Sequence, residues 1–147
     1  MKANEDIKVS GRLQIRVFDE SGTLKDERDL NNLVVTAGKG FIASRMVGTA
    51  SPVMSHMAIG SNSTTPVVGD TALGGELGRA SLTSGTATGA IATYVSTFNA
   101  GIGSGAVTEA GIFNSGTGGT MLCRTVFPVV NKGASDTMTV TWTVTIS

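Results

Sequence analysis

The stretch Thr137-Met138-Thr139-Val140-Thr141-Trp142-Thr143-Val144-Thr145-Ile146 decides the fold class. Threonine alternates with an apolar residue throughout, and successive side chains of a strand point to opposite faces. One face is therefore wholly apolar and the other wholly threonine, a period of two that marks a strand and not a helix. Both residue types suit a pleated, half-buried surface.

Working outward, Leu13, Ile15 and Val17 alternate with Arg12, Gln14 and Arg16, and Asp19-Glu20-Ser21-Gly22 closes that run with turn chemistry. A second strand over residues 23–30 completes a hairpin. Further strands are predicted over residues 55–59, 79–83, 90–98, 107–113 and 121–127, each bounded by clusters such as Gly60-Ser61-Asn62-Ser63 and Asn114-Ser115-Gly116-Thr117-Gly118-Gly119. One short helix is predicted near residues 37–47, capped by Thr36, with Phe41, Ile42 and Met46 as a rough apolar face. Residues 60–78 read as a long loop, a feature usually reserved for function or for packing on a partner. Short strands at this spacing give an all-β chain, a β-sandwich or jelly roll. The predicted organisation is an N-terminal arm, residues 1–10, and a single β-sandwich domain, residues 11–147.

Composition narrows the function. Of 147 residues, 20 are Gly, 20 Thr and 14 Ser, and the net charge is zero. Charges crowd into the N-terminal third: 15 lie in residues 1–48 and only 7 in residues 49–147. A nucleic-acid binder working through phosphate contacts would carry a basic surplus, so direct nucleic-acid binding is not expected. The chain opens Met1-Lys2-Ala3-Asn4-Glu5-Asp6 without an apolar leader, and no apolar window reaches the ~18 residues of a membrane span. Synthesis in a cytoplasm and no membrane partner are the expectations.

Catalytic and metal motifs are sparse. His56 is the single histidine and reads as a half-buried strand residue. One His and one Cys, far apart, cannot assemble the usual zinc clusters. Asp70 and Glu76 read as solvated loop acids, Cys123 as an inert buried thiol, and Trp142 as core. The sequence around Gly38-Lys39-Gly40 lacks the phosphate-loop glycine and hydroxyl, and Gly101-Ile102-Gly103-Ser104-Gly105-Ala106 ends in alanine where the dinucleotide fingerprint needs glycine. Both are turns. A binding or building protein is expected, with no catalytic residue, metal or cofactor.

Several motifs, in order, resemble segments of tailed-bacteriophage virion proteins. Ala58-Ile59-Gly60-Ser61-Asn62-Ser63-Thr64-Thr65-Pro66, followed by Asp70-Thr71-Ala72-Leu73-Gly74-Gly75-Glu76 and Arg79, is similar to a strand leading into "T-x-P…D-T-A-L-G-x-E…R". Val107-Thr108-Glu109-Ala110-Gly111-Ile112-Phe113-Asn114 and Gly119-Thr120-Met121-Leu122-Cys123-Arg124 resemble "I-T-E-A-G-L-F-N…G-x-M-L-A-R". Asn32-Leu33-Val34-Val35-Thr36-Ala37-Gly38 and the C-terminal threonine strand extend the likeness over roughly residues 30–147. The resemblance implies a non-enzymatic structural protein of the virion, most like a capsid decoration or cement protein on the shell surface. Its implied partners are the major capsid protein and further copies of itself, as a dimer or trimer. A tail-fibre, collar or baseplate module with a part in host attachment is the alternative within the same resemblance. Partner contacts are expected along the arm and first strand, at Lys2, Ile7, Lys8, Val9 and Arg12.

Overall fold

The alternating run forms strand β8 (Thr137–Ile146), flanked on one edge by β1 (Val9–Phe18) and on the other by β5 (Ile91–Phe98), both antiparallel. The remaining elements are β2 (Leu24–Val34), α1 (Thr36–Met46), β3 (His56–Gly60), β4 (Glu76–Thr88), β6 (Gly105–Phe113) and β7 (Met121–Lys132). This computed structural model describes residues 6–49 and 51–147, and the following statements concern those residues.

The strands close in the order β1-β2-β7-β6-β3-β4-β5-β8, every neighbouring pair antiparallel. The all-β class and the short helix agree with the sequence reading, whereas the expected open sandwich or jelly roll is corrected to a closed eight-stranded barrel. Two strands make the difference by changing partner along their length. β4 pairs with β3 as far as Ser81, then with β5 from Leu82 onward, with a register shift between Leu82 and Ser84. β2 follows β1 through most of its length and meets β7 only at Leu33 and Val34. Strands that switch sheets through bends and bulges make corners.

Alternation fills the interior as anticipated. Leu13, Ile15 and Val17 of β1 join Met138, Val140, Trp142 and Val144 of β8, and across the barrel lie Met57, Ile59, Ile112, Leu122 and Phe127. Trp142 is fully buried and donates its indole N–H to Asn32 Oδ1 at 3.2 Å. Cys123 is buried, and burial pushes its thiol pKa well up. β4 and β7 run past their expected ends, to Thr88 and Lys132. Pro128 is accommodated because it falls where the β6–β7 register shifts, between the pairs Val107↔Val130 and Glu109↔Val126.

Helix α1 covers one end of the barrel. Gly38 is what lets it sit so close: a Cβ there would run into the backbone carbonyl of Leu122. Phe41 and Ile42 pack on the core, but Met46 is 84% exposed, contrary to its expected place on the apolar face. Val35 takes the N-cap position and makes no side-chain capping bond, so Thr36 begins the helix instead of capping it. The Thr36 N–H donates instead to the Val68 carbonyl at 2.8 Å. This helix is too short and too polar to cross a membrane.

Beyond Leu33, side chains bridge β2 to β7 and the following turn. Thr125 Oγ1 donates to the Asn31 carbonyl, Arg28 to the carbonyls of Pro128 and Val129, and Lys25 Nζ meets Asp136 at 2.6 Å. The Lys25 hydrogen bond, helped by the Gly133 N–H, holds the Asp136 carboxyl below its ordinary value of 3.8. A carboxyl depressed in the folded state stabilises above its unfolded pKa and loses that contribution as pH falls through the folded one. Urea denaturation should therefore show stability declining below about pH 4, more shallowly for Asp136→Asn than for the parent chain. The same measurement on Trp142→Ala should show a loss of about 3–5 kcal/mol from the vacated core.

Candidate functional site

Strand β3, β6 from Val107 to Phe113 and β7 from Met121 to Phe127 are buried on both faces, and the long loop explains why. Residues 61–75 leave β3 and return to β4 with their ends joined: Ser61 N–H donates to the Gly75 carbonyl, next to the pair Gly60↔Glu76. The loop folds back over the outer surface of these strands. Leu73 packs there on a second small core of Val35, Ala58, Phe113 and Met121.

Beneath the loop lies the most expensive arrangement in the molecule. Glu109 of β6 is fully buried and Arg124 of β7 is 3% exposed. Their side chains meet through two hydrogen bonds, Nη2 to Oε2 at 2.9 Å and Nε to Oε2 at 3.1 Å. A buried ion pair repays its desolvation only when the remaining lone pairs and protons find partners. Here they do. Glu109 accepts from the backbone N–H groups of Gly75 at 2.7 Å, Gly74 at 3.0 Å and Asn62 at 3.2 Å. Arg124 Nη1 donates to Asp70 Oδ2 at 3.0 Å and to the Thr64 carbonyl at 3.1 Å. Asp70 in turn accepts from the Val67 N–H. Gly60 is required beside this cluster, since a Cβ would collide with both Glu109 Oε1 and the Gly75 carbonyl.

A second fastener lies alongside. Arg79 of β4 is bidentate to Glu76, donates to the carbonyls of Ser115 and Gly118, and stacks 4.0 Å from the centre of the Phe113 ring. It thereby ties the β6–β7 turn to β4. Asn114 closes that turn by accepting from the Thr120 N–H, and it also donates to the Pro52 carbonyl. The expectation that Asp70 and Glu76 are solvated loop acids is corrected in part: Asp70 is half-buried on Arg124, whereas Glu76 stays exposed but opens strand β4 and pairs with Arg79.

These contacts account for the charge-poor part of the chain. Of its seven charges, Asp70, Glu76, Arg79, Glu109, Arg124 and Asp136 are in ion pairs. The seventh, Lys132, is buried with its ammonium on the Asn99 carbonyl at 3.0 Å, and burial lowers its pKa. The face built by β8 and β5 is left uncharged: Thr139, Thr141, Thr143 and Thr145 lie beside Thr97, Val95, Thr93 and Ile91. On the β1 side the same rows continue into Arg16, Gln14, Arg12 and Ser10.

The residues expected to touch a partner are scattered along β1 and its approach. Lys2 lies outside the described residues. Ile7 is 73% exposed, whereas Lys8 is held to Ser147 by two backbone hydrogen bonds. Val9 is already in β1, paired with Ile146 and packed on the core. Arg12 is occupied by Asp29 at 2.6 and 2.8 Å. His56 is half-buried between serines, with Nδ1 2.8 Å from Ser55 Oγ and Nε2 3.4 Å from Ser81 Oγ.

The Glu109–Arg124 pair was not among the residues singled out from sequence. Its signal was present: a charge inside each of two apolar strands, Ala106-Val107-Thr108-Glu109-Ala110 and Met121-Leu122-Cys123-Arg124, demands a partner. Compared with known proteins, the chain matches no family model, no curated protein and no solved structure.

Removing one partner leaves the other charge buried and alone, so Glu109→Ala should cost about 3–5 kcal/mol in urea denaturation. Replacing both, as Glu109→Leu with Arg124→Met, should not recover that loss, because the amides of Asn62, Gly74 and Gly75 lose their acceptor. Limited proteolysis should then cut within residues 61–75.

Proposed function

We propose that the chain is a non-enzymatic structural protein of a tailed-bacteriophage virion, a decoration or cement protein seated on the major capsid protein at the shell surface. The reading is carried by one observation: the residues that resemble virion-protein motifs converge on a single job. Asn62, Asp70, Gly74, Gly75, Glu76, Arg79, Glu109, Phe113, Asn114 and Arg124 all serve to fasten the long loop and the β6–β7 turn onto the barrel. Their polar groups face one another, and the work they do is mechanical.

A cementing protein must hold its shape under load and meet protein neighbours at low desolvation cost. Closure covers most strand edges, and where β2 parts from β7 the side chains of Thr125, Arg28 and Lys25 bridge the gap. The uncharged threonine face of β8 and β5 offers hydroxyls that can pair across a contact, and interface cores are depleted of charge in general. Arg12 lies opposite Thr143 at the margin of that face and Lys8 pairs with Ser147 just past its end, and both would extend the contact.

Copy number tests the assignment most simply. Gel densitometry of purified virions carrying this chain should give hundreds of copies per particle; a few to a few dozen would move it to a tail fibre, collar or baseplate. Shells stripped of the protein should then lose resistance to heat and chelator, and regain it when the purified chain is added back. Unchanged resistance would refute cementing.

A further inference from the structure

The single histidine sits in an arrangement that neither the loop clamp nor the threonine face uses. His56 opens β3, lies directly opposite Ser81 of β4, and follows Ser55 in the chain. Each ring nitrogen meets one serine: Nδ1 is 2.8 Å from Ser55 Oγ, and Nε2 is 3.4 Å from Ser81 Oγ. Among the described residues no carboxylate pairs with the ring.

The backbone holds all three residues. Ser55 donates its N–H to the Phe113 carbonyl and accepts from the Leu82 N–H, each at 2.9 Å. Ser81 stands where β4 changes partner, and its carbonyl accepts from the buried Ser96 hydroxyl at 3.0 Å. His56 is half-buried and Ser81 exposed, so the pair is anchored below and reachable from above. Gly116 of the β6–β7 turn passes the ring without a side chain; a Cβ there would stand 3.4 Å from Nε2.

A serine hydroxyl is a weak nucleophile until an adjacent base takes its proton, and the base works best when a third group orients it. Ser55 can fill that third place. With the imidazole proton on Nδ1 and donated to Ser55 Oγ, the Nε2 lone pair faces the Ser81 hydroxyl. Such contacts are often long without substrate and tighten in the reacting complex.

We infer that Ser81 is an acyl-accepting serine, with His56 as its general base and Ser55 as a positioning residue, and that it takes small activated carboxylic esters. The Ser81 oxygen attacks the ester carbonyl and its proton passes to His56 Nε2. The tetrahedral adduct then expels the leaving-group oxygen, which takes that proton. An acyl–Ser81 ester and a free alcohol or phenol result. Acyl transfer to one side chain and copy number in a virion are separate properties, so neither result decides the other.

The folded full chain is incubated with p-nitrophenyl acetate, digested, and each serine read for acetyl ester by mass spectrometry. Ser81 should be acetylated about a hundredfold or more faster than the exposed Ser63, the scale of general-base assistance. His56→Gln should remove that excess. Ser55→Ala should reduce it and Ser55→Thr should restore it, with circular dichroism checking that each variant keeps the fold. Ser81 labelled no faster than Ser63 would overturn the proposal, and that comparison needs no variant. An excess unchanged by His56→Gln would overturn the base, and one unchanged by Ser55→Ala would overturn the positioning role.

Discussion

The long loop on the outer side of β3, β6 and β7 depends on one carboxylate. Glu109 is fully buried between strands, where an isolated charge would be prohibitive, and the chain answers with a guanidinium and three backbone amides. Two of those amides come from Gly74 and Gly75 and the third from Asn62, so satisfying the charge draws both ends of the loop to one point. Arg124 then reaches the loop's middle through Thr64 and Asp70. The loop could not leave without stranding the charge, so an otherwise structureless segment is held as firmly as a strand.

The consequences reach the end of the barrel. Val68 of the clamped loop accepts from the Thr36 N–H, which fixes the first turn of α1, and Gly38 then lets that helix settle against the Leu122 carbonyl. The seated helix presents Phe41 and Ile42 to the core and forms one wall of an apolar cleft. A buried polar cluster under β6 and β7 thus shapes a surface across the barrel mouth. Charge patterning makes the same point from the other side: with the later charges consumed internally, the threonine face of β8 and β5 is left neutral.

Much of the fold was legible in the sequence. The alternation from Thr137 to Ile146 and from Arg12 to Val17 reported strand, face and burial together, because a period of two is a local property. Closure was not legible. It rests on β4 changing partners at Leu82 and on a two-pair junction of β2 with β7, and long-range pairings of that kind leave no periodic trace. Met46 misled because helical spacing alone does not say where the covered face ends, and β7 runs past its expected end because a register shift supplies the gap that Pro128 needs. In the candidate site, the motif residues could be recognised singly, but their convergence through Glu109 and Arg124 required the register of β6 on β7.

The central claim is that the buried carboxylate pins the loop, and amide hydrogen exchange of the parent chain tests it directly. The N–H groups of Asn62, Gly74 and Gly75 should be protected to nearly the degree of the β6 and β7 ladder amides, opening only with the barrel. Exchange at the rate of a free loop, while the strands beneath stay protected, would contradict the account.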